Sequence, residues 1–259
     1  MKKSKRLFAI AAVVLCAATV ASAIFLGSFS KLKKNFDPSL LPEDFTVTGH
    51  TGCMGEKDNS IEAMEAAVSA GAQIVEFDLN FTENKEPVLS HDSPKENDVT
   101  LQEAFDFIEK HPAVLANVDA KSTENLAAVQ KLGEEHMILN QLFFTGIGEE
   151  DVKAVQKDCP KIPYYLNVDV DKKKVSDKDY LEELAMKVIL SGAVGINMHK
   201  RAVTKELCDF FHQKGILVSV YTVDSEYEIY RVLSAGPDNI TSRDPDKIIE
   251  ILNAKEVKQ

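Results

Sequence analysis

Glu76 and Asp78 stand two residues apart in the apolar run QIVEFDL, residues 73–79. Side chains of a β-strand alternate between faces, so positions i and i+2 point the same way. The two carboxylates therefore converge on one side of a strand. They repel there unless a cation lies between them or one keeps its proton. An all-oxygen donor pair suits a hard divalent ion, Ca²⁺ or Mg²⁺. His50 ends a short apolar run at 46–50, and His91, followed by Asp92, ends another that runs from Pro87 to Ser90. Two histidines beside a divalent ion have the chemistry of a general acid and a general base.

Such residues act together only if the chain's elements bring them to one place. From residue 44 the sequence alternates short apolar runs with helical patterns. The runs predict strands at 46–50, 73–79, 115–119, 141–145, 163–168, 193–197, 216–221 and 238–241. Between and after them lie helical patterns at about 59–70, 101–110, 123–132, 149–158, 178–190, 203–214, 225–234 and 244–254. Asn59 with Glu62 reads as a capping box, and Gly71, Gly192 and Gly215 fall where helices should end. Pro87 begins its run rather than interrupting it. Eight βα units in one stretch predict an α/β (β/α)₈ TIM barrel, whose chemistry sits just past the strands. A doubly wound open sheet is the alternative, but no GxGxxG accompanies the pattern.

The ordered set His50 and Gly52, Asn59 and Ser60, Gly71 and Ala72, Glu76 and Asp78, Thr82, His91 and Asp92 resembles the glycerophosphodiester phosphodiesterase family. That family carries His-Arg-Gly after its first strand, Glu-x-Asp in its second and His-Asp further on. The family arginine is Thr51 here. The resemblance covers the N-terminal part of the barrel well and thins later. It implies a metal-dependent phosphoric diester hydrolase that releases an alcohol and a glycerol phosphate.

The segment LANVDAKS places Asp119 and Lys121 two apart on one strand face. By the resemblance, Asp119 joins Glu76 and Asp78 as metal ligands and Lys121 meets a phosphate oxygen. His50 and His91 are then the catalytic pair, either one the acid and the other the base. The segment ILVSVYTVDS puts Tyr221 in the family's aromatic slot, where a ring can pack on an alcohol group. In GPDNITSRDPD, Arg243 stands where the family has an acid. The strand before it neighbours the first strand in a closed barrel, so Arg243 is expected to supply the phosphate contact that Thr51 cannot. The stretch after His91 is short where many relatives insert a small subdomain, which implies an open mouth.

Residues 7–27 form an uncharged apolar run of 21 residues preceded by KKSKR at 2–6. At about 1.5 Å per residue it can cross a bilayer. We read residues 1–34 as a signal-anchor segment and 35–259 as the barrel. The anchor places the barrel outside the cytoplasmic face; cleavage at Ala21-Ser22-Ala23 would make it secreted instead. Seven of the 30 basic residues lie in 1–34 with no acid, which leaves 23 basic against 41 acidic residues, a formal charge of −18, on the remainder. That excludes a nucleic-acid partner and requires an anionic diester to be attracted locally.

Cys53, Cys159 and Cys208 have no metal-ligand spacing and read as free, buried thiols. His111, His136 and His212 read as solvated, and His199 falls on the functional rim. The alternatives are a phospholipase C- or D-like phosphodiesterase on intact lipid, and a degenerate barrel kept as a binding module.

Overall fold

The computed structural model describes residues 26–256. The chain divides into two compact units, Met1–Asp37 and Pro38–Gln259. In the first, residues 26–35 are helical. The apolar run at 7–27 lies, but for its last two residues, outside the described residues, as does Ala21-Ser22-Ala23. Among the described residues no helix is long and apolar enough to cross a membrane.

The second unit alternates strands and helices along its whole length. The strands are β1 (Thr46–Gly49), β2 (Ile74–Phe81), β3 (Pro87–Leu89), β4 (Leu115–Ala120), β5 (Leu142–Ile147), β6 (Tyr164–Asn167), β7 (Gly195–His199), β8 (Leu217–Tyr221) and β9 (Asn239–Ser242). The helices are α1 (Ile61–Ser69), α2 (Leu101–Glu109), α3 (Leu126–Glu135), α4 (Val152–Asp158), α5 (Lys178–Ser191), α6 (Lys205–His212), α7 (Glu226–Leu233) and α8 (Pro245–Glu256). All strands but β3 run parallel, and β1 pairs with both β2 and β9, which closes an eight-stranded (β/α)₈ barrel. β3 lies antiparallel against the end of β2, with Phe81 opposite Pro87, and stays outside the closed ring. Pro87 opens that edge strand, where its missing N–H costs no ladder bond.

The apolar core lies between barrel and helices. Val75, Phe77 and Leu79 alternate along β2 and cluster with Met64 and Ala67 of α1 and with Leu101, Phe105 and Ile108 of α2. The opposite faces of the strands carry polar side chains into the barrel. Thr48, Glu76, Asn117, Thr145, Asn197, Ser219, Asn239 and Thr241 are all buried. Several of them bond one another: Asn239 Nδ2 donates to Thr48 Oγ1 at 2.8 Å, and Thr145 Oγ1 lies 2.8 Å from Asn117 Oδ1. A polar interior without partners would cost several kcal/mol, so this network is a condition of the fold.

Helix boundaries follow local chemistry. Thr100 and Glu103 form a reciprocal capping box at α2, and Ser60, Thr204 and Ser225 cap α1, α6 and α7. Gly192 ends α5 in the left-handed region at φ 74°. The expected box at α1 is corrected by one position. Ser60 accepts from the Ala63 N–H, while Asn59 sits at φ 56° and turns its amide elsewhere. Asparagine tolerates that conformation, which frees it for the work described next.

Candidate active site

The C-terminal ends of the barrel strands meet around a cavity of about 350 Å³ lined by His50, Glu76, Asp119, Lys121, Thr145 and Tyr221, among others. β2 and β4 run in register with Glu76 beside Asn117 and Asp78 beside Asp119. Strand alternation and this register bring Glu76, Asp78 and Asp119 together, and one carboxylate oxygen of each lies within 4.8 Å of the others. Lys121, one residue past β4, reaches back between two of them. Its Nζ lies 3.0 Å from Asp78 Oδ1 and 2.5 Å from Asp119 Oδ2.

This cluster carries more negative charge than its protein cation balances. Burial pushes the Glu76 carboxyl well above the usual carboxylate range, and the charges of Asp119 and Asp78 push it further. The Thr51 N–H, donating to Glu76 Oε2 at 2.6 Å, and the Lys121 charge act the other way. Burial works against the Lys121 ammonium, but Asp119 and Asp78 outweigh it and hold its pKa above the ordinary value. Three oxygen donors at such separations, one of them made hard to ionise by burial and by the other two, fit a hard divalent cation.

His50, following β1, is half-buried. Its Nδ1 lies 2.7 Å from the Thr51 carbonyl oxygen. A carbonyl only accepts, so Nδ1 carries the proton and Nε2 keeps its lone pair. Burial lowers the His50 pKa, the Thr51 bond opposes this, and the Arg243 charge lowers it again. The net effect favours the neutral ring, the form a base requires.

Asn59 is the residue that sequence reading placed correctly in the chain but not in the site. Its Nδ2 donates to Asp78 Oδ2 at 2.8 Å, and its Oδ1 accepts the Asp78 N–H at 2.9 Å. Its own N–H donates to Thr51 Oγ1 at 2.5 Å, and that hydroxyl donates to Asn59 Oδ1 at 3.1 Å. Thr51, buried where the family has arginine, is thus part of the scaffold that aims Asp78. Thr145 was also not foreseen, and its Oγ1, 2.8 Å from Asn117 Oδ1, also lies 3.0 Å from Asp119 Oδ1, so its one hydroxyl proton is shared between them. Only strand register reveals Thr145, because nothing in its own segment marks it.

Two expected site residues stand apart from the cavity lining. His91 is exposed, with its side chain 67% accessible, and its Nδ1 lies 3.0 Å from Asp92 Oδ1. It is tied to the site through its neighbour Ser90, whose N–H donates to the Asp78 carbonyl at 3.0 Å. Arg243 lies just past β9, half-exposed, with Nη1 3.6 Å from Asp224 Oδ2. Asp224 also accepts the Arg243 N–H at 2.8 Å, and the Arg243 carbonyl accepts the Met54 N–H at 2.8 Å. The guanidinium is thus near enough to act on His50 but is turned to Asp224.

The other histidines are less solvated than expected. His136 bonds Glu109 at 2.8 Å and is only 9% exposed, His212 bonds Asp238 at 2.8 Å, and His111 stacks on Phe107 at 4.1 Å between ring centres. Their polar neighbours come from other elements or from one helical turn away, which the helical pattern alone does not reveal. His199 does lie on the rim, edge-on to Tyr221 at 6.0 Å. Cys53, Cys159 and Cys208 are free and buried, as their lack of ligand spacing implied.

The glycerophosphoryl diester phosphodiesterase family matches the chain over residues 43–109 and 94–247. Among solved structures, the fold is similar to that of a chain from Silicibacter pomeroyi DSS-3, with a TM-score of 0.69 and 18% identity over 81% of this chain and 93% of that one. It is also similar to an Oleispira antarctica phosphodiesterase in complex with the product sn-glycerol-3-phosphate, with a TM-score of 0.68 and 19% identity over 83% and 98% of the two chains. A glycerophosphodiester phosphodiesterase from Parabacteroides distasonis ATCC 8503 gives a TM-score of 0.66 and 17% identity over 82% and 98%. No curated protein matches the chain.

Proposed function

Since the chain belongs to the glycerophosphoryl diester phosphodiesterase family, we propose that it is a metal-dependent hydrolase of glycerophosphodiesters, with His50 as its general base. The observation that carries this reading is the meeting of Glu76, Asp78 and Asp119 with Lys121 and His50 around one cavity.

Glu76, Asp78 and Asp119 would hold the ion, Ca²⁺ or Mg²⁺. The ion supplies positive charge that stabilises charge developing on the phosphoryl oxygens. Lys121 adds a second positive charge beside the same carboxylates and binds a phosphate oxygen. His50 Nε2 takes the proton from the attacking oxygen, either water or the substrate's neighbouring hydroxyl. Its Nδ1–H stays on the Thr51 carbonyl throughout, so the ring keeps its orientation. His91 gives a proton to the leaving alcohol from the outer rim. Tyr221 offers a ring face to the alcohol. Arg243 contacts the diester on exchanging Asp224 for it. The products are an alcohol and a glycerol phosphate, formed directly when water attacks and, when the neighbouring hydroxyl attacks, after water opens the cyclic phosphodiester that this leaves. The apolar run at 7–27 would hold the enzyme to a membrane with the barrel on its outer side.

The deciding experiment is hydrolysis of glycerophosphodiesters by the full chain after treatment with EDTA, then with Ca²⁺ or Mg²⁺ restored. We expect metal-dependent release that is lost in His50→Ala and His91→Ala. Release that survives EDTA, or that His50→Ala leaves intact, overturns the reading. Calorimetry of metal binding to wild type and Asp119→Asn gives the ligand set independently of turnover. For the anchor, wash-resistant association of the full chain with membranes is expected.

A further inference from the structure

Past the reaction cavity lies a larger one, about 780 Å³, which shares Asn167 and Tyr221 as walls and is otherwise built from the loops after β6 and β7. Both loops are pinned. Lys200 binds Glu228 at 2.7 Å, and the Lys200 carbonyl accepts from Arg231 at 2.6 Å. The Asp171 N–H donates to the Tyr180 hydroxyl at 2.9 Å. The backbones of the two loops are therefore held in place, while Asp169, Asp171, Lys172 and Arg201 stand exposed on the cavity's rim.

Its polar groups are mostly unspent. The side chains of Arg201, Lys172 and Asp169 have no hydrogen-bond or ion-pair partner among the described residues, and one Asp171 oxygen is likewise open. The N–H of Arg201 donates to His199 Nδ1 at 3.2 Å, so Nε2–H remains free to donate. The cavity thus offers strong donors and strong acceptors at once, beside one aromatic ring.

Few alcohols use such a lining. A quaternary ammonium wants an aromatic cage, and here it meets one tyrosine and two cations. A second phosphate satisfies Arg201 and Lys172 but faces Asp169 and Asp171. A plain alkyl alcohol leaves both signs unpaired. A polyol satisfies both, because every hydroxyl donates and accepts. The volume also exceeds what glycerol needs. The geometry points to a specificity subsite formed by Asp169, Lys172, His199 and Arg201 that takes a polyhydroxylated ring, an inositol or a hexose, as the alcohol of the diester. This rests on the proposed phosphodiesterase activity and names its substrate class.

The test compares kcat/KM of the metal-loaded full chain on glycerophosphoinositol, glycerophosphocholine and glycerophosphoserine, with an aryl phosphodiester as a control for the chemistry. We expect glycerophosphoinositol to be preferred over glycerophosphocholine. That preference should fall by about tenfold or more in Arg201→Ala and in Asp169→Ala, through KM rather than kcat, as expected for lost charge-assisted hydrogen bonds. A merely structural defect would lower all substrates and keep the ratio. Equal use of the three glycerophosphodiesters, a preference for the serine ester, or a ratio unchanged by both substitutions overturns the subsite. If no diester is cleaved, the aryl control included, the activity reading fails. Binding of free myo-inositol by ligand-observed NMR then decides the subsite alone: binding weakened by Arg201→Ala sustains it, and no binding ends it.

Discussion

Lys121 illustrates how one side chain does two jobs with opposite signs. It pairs with Asp78 and Asp119, and in the proposed mechanism it also binds a phosphate oxygen. Lys121→Met should lower kcat/KM about tenfold to hundredfold. The same change should tighten metal binding, because the competing ammonium is gone. Calorimetry and kinetics on one preparation would reveal both, and a loss of metal affinity would contradict this account. Asn59 makes a related case. Asn59→Ala removes the amide that seats Asp78 and leaves a Cβ-bearing residue at φ 56° without compensation. We expect activity to fall at least about tenfold, with a loss of thermal stability. Asn59→Gly should recover most of the stability but not the activity. Recovery of both would mean that only the backbone mattered.

Strand β5 shows how an element can serve a site through its neighbours. Thr145 holds Asp119, and Gly146, at φ 75°, lets β5 approach β4 closely. A Cβ at position 146 would stand 2.6 Å from Asp119 Oδ1. Gly146→Ala should therefore cost more than about 1 kcal/mol of stability and displace Asp119, a proposed metal ligand, as well. Denaturant unfolding and metal titration would report the two effects separately. An active, fully stable variant would mean that β5 can yield. Strand β3 plays the opposite part. It stays outside the barrel, and the exposed His91 follows it on that edge rather than on the ring.

The whole molecule separates its two kinds of interior. The apolar layer between barrel and helices holds Cys53, Cys159 and Cys208, all fully buried. Burial pushes the Cys53 thiol up to about 11 and the Cys159 thiol up to about 12, and raises Cys208 as well. The thiolate is the reactive form, so a thiol reagent at pH 8 should modify none of these three in the folded enzyme and all three in denaturant. Mass spectrometry of the labelled peptides would check this, and fast native labelling of Cys53 would show that the mouth opens. Inside the barrel, polar residues satisfy one another, and only at the strands' C-terminal ends does the network turn into a site.

By itself the sequence determined the alternation of eight strands and eight helices. It left strand order open between a closed barrel and a doubly wound sheet, because both are built from the same right-handed connections; the pairing of β1 with both β2 and β9 decided for the barrel. The sequence also determined that Glu76 and Asp78 share a face, and likewise Asp119 and Lys121, because a period of two is a local property. Tertiary structure alone decided that these two pairs face each other, since register between β2 and β4 is a long-range choice made by the packing of both faces. It alone gave Asn59 and Thr51 their places beneath the carboxylates and turned Arg243 toward Asp224. A side chain's partner depends on which elements surround it, and that information is distributed over the whole fold.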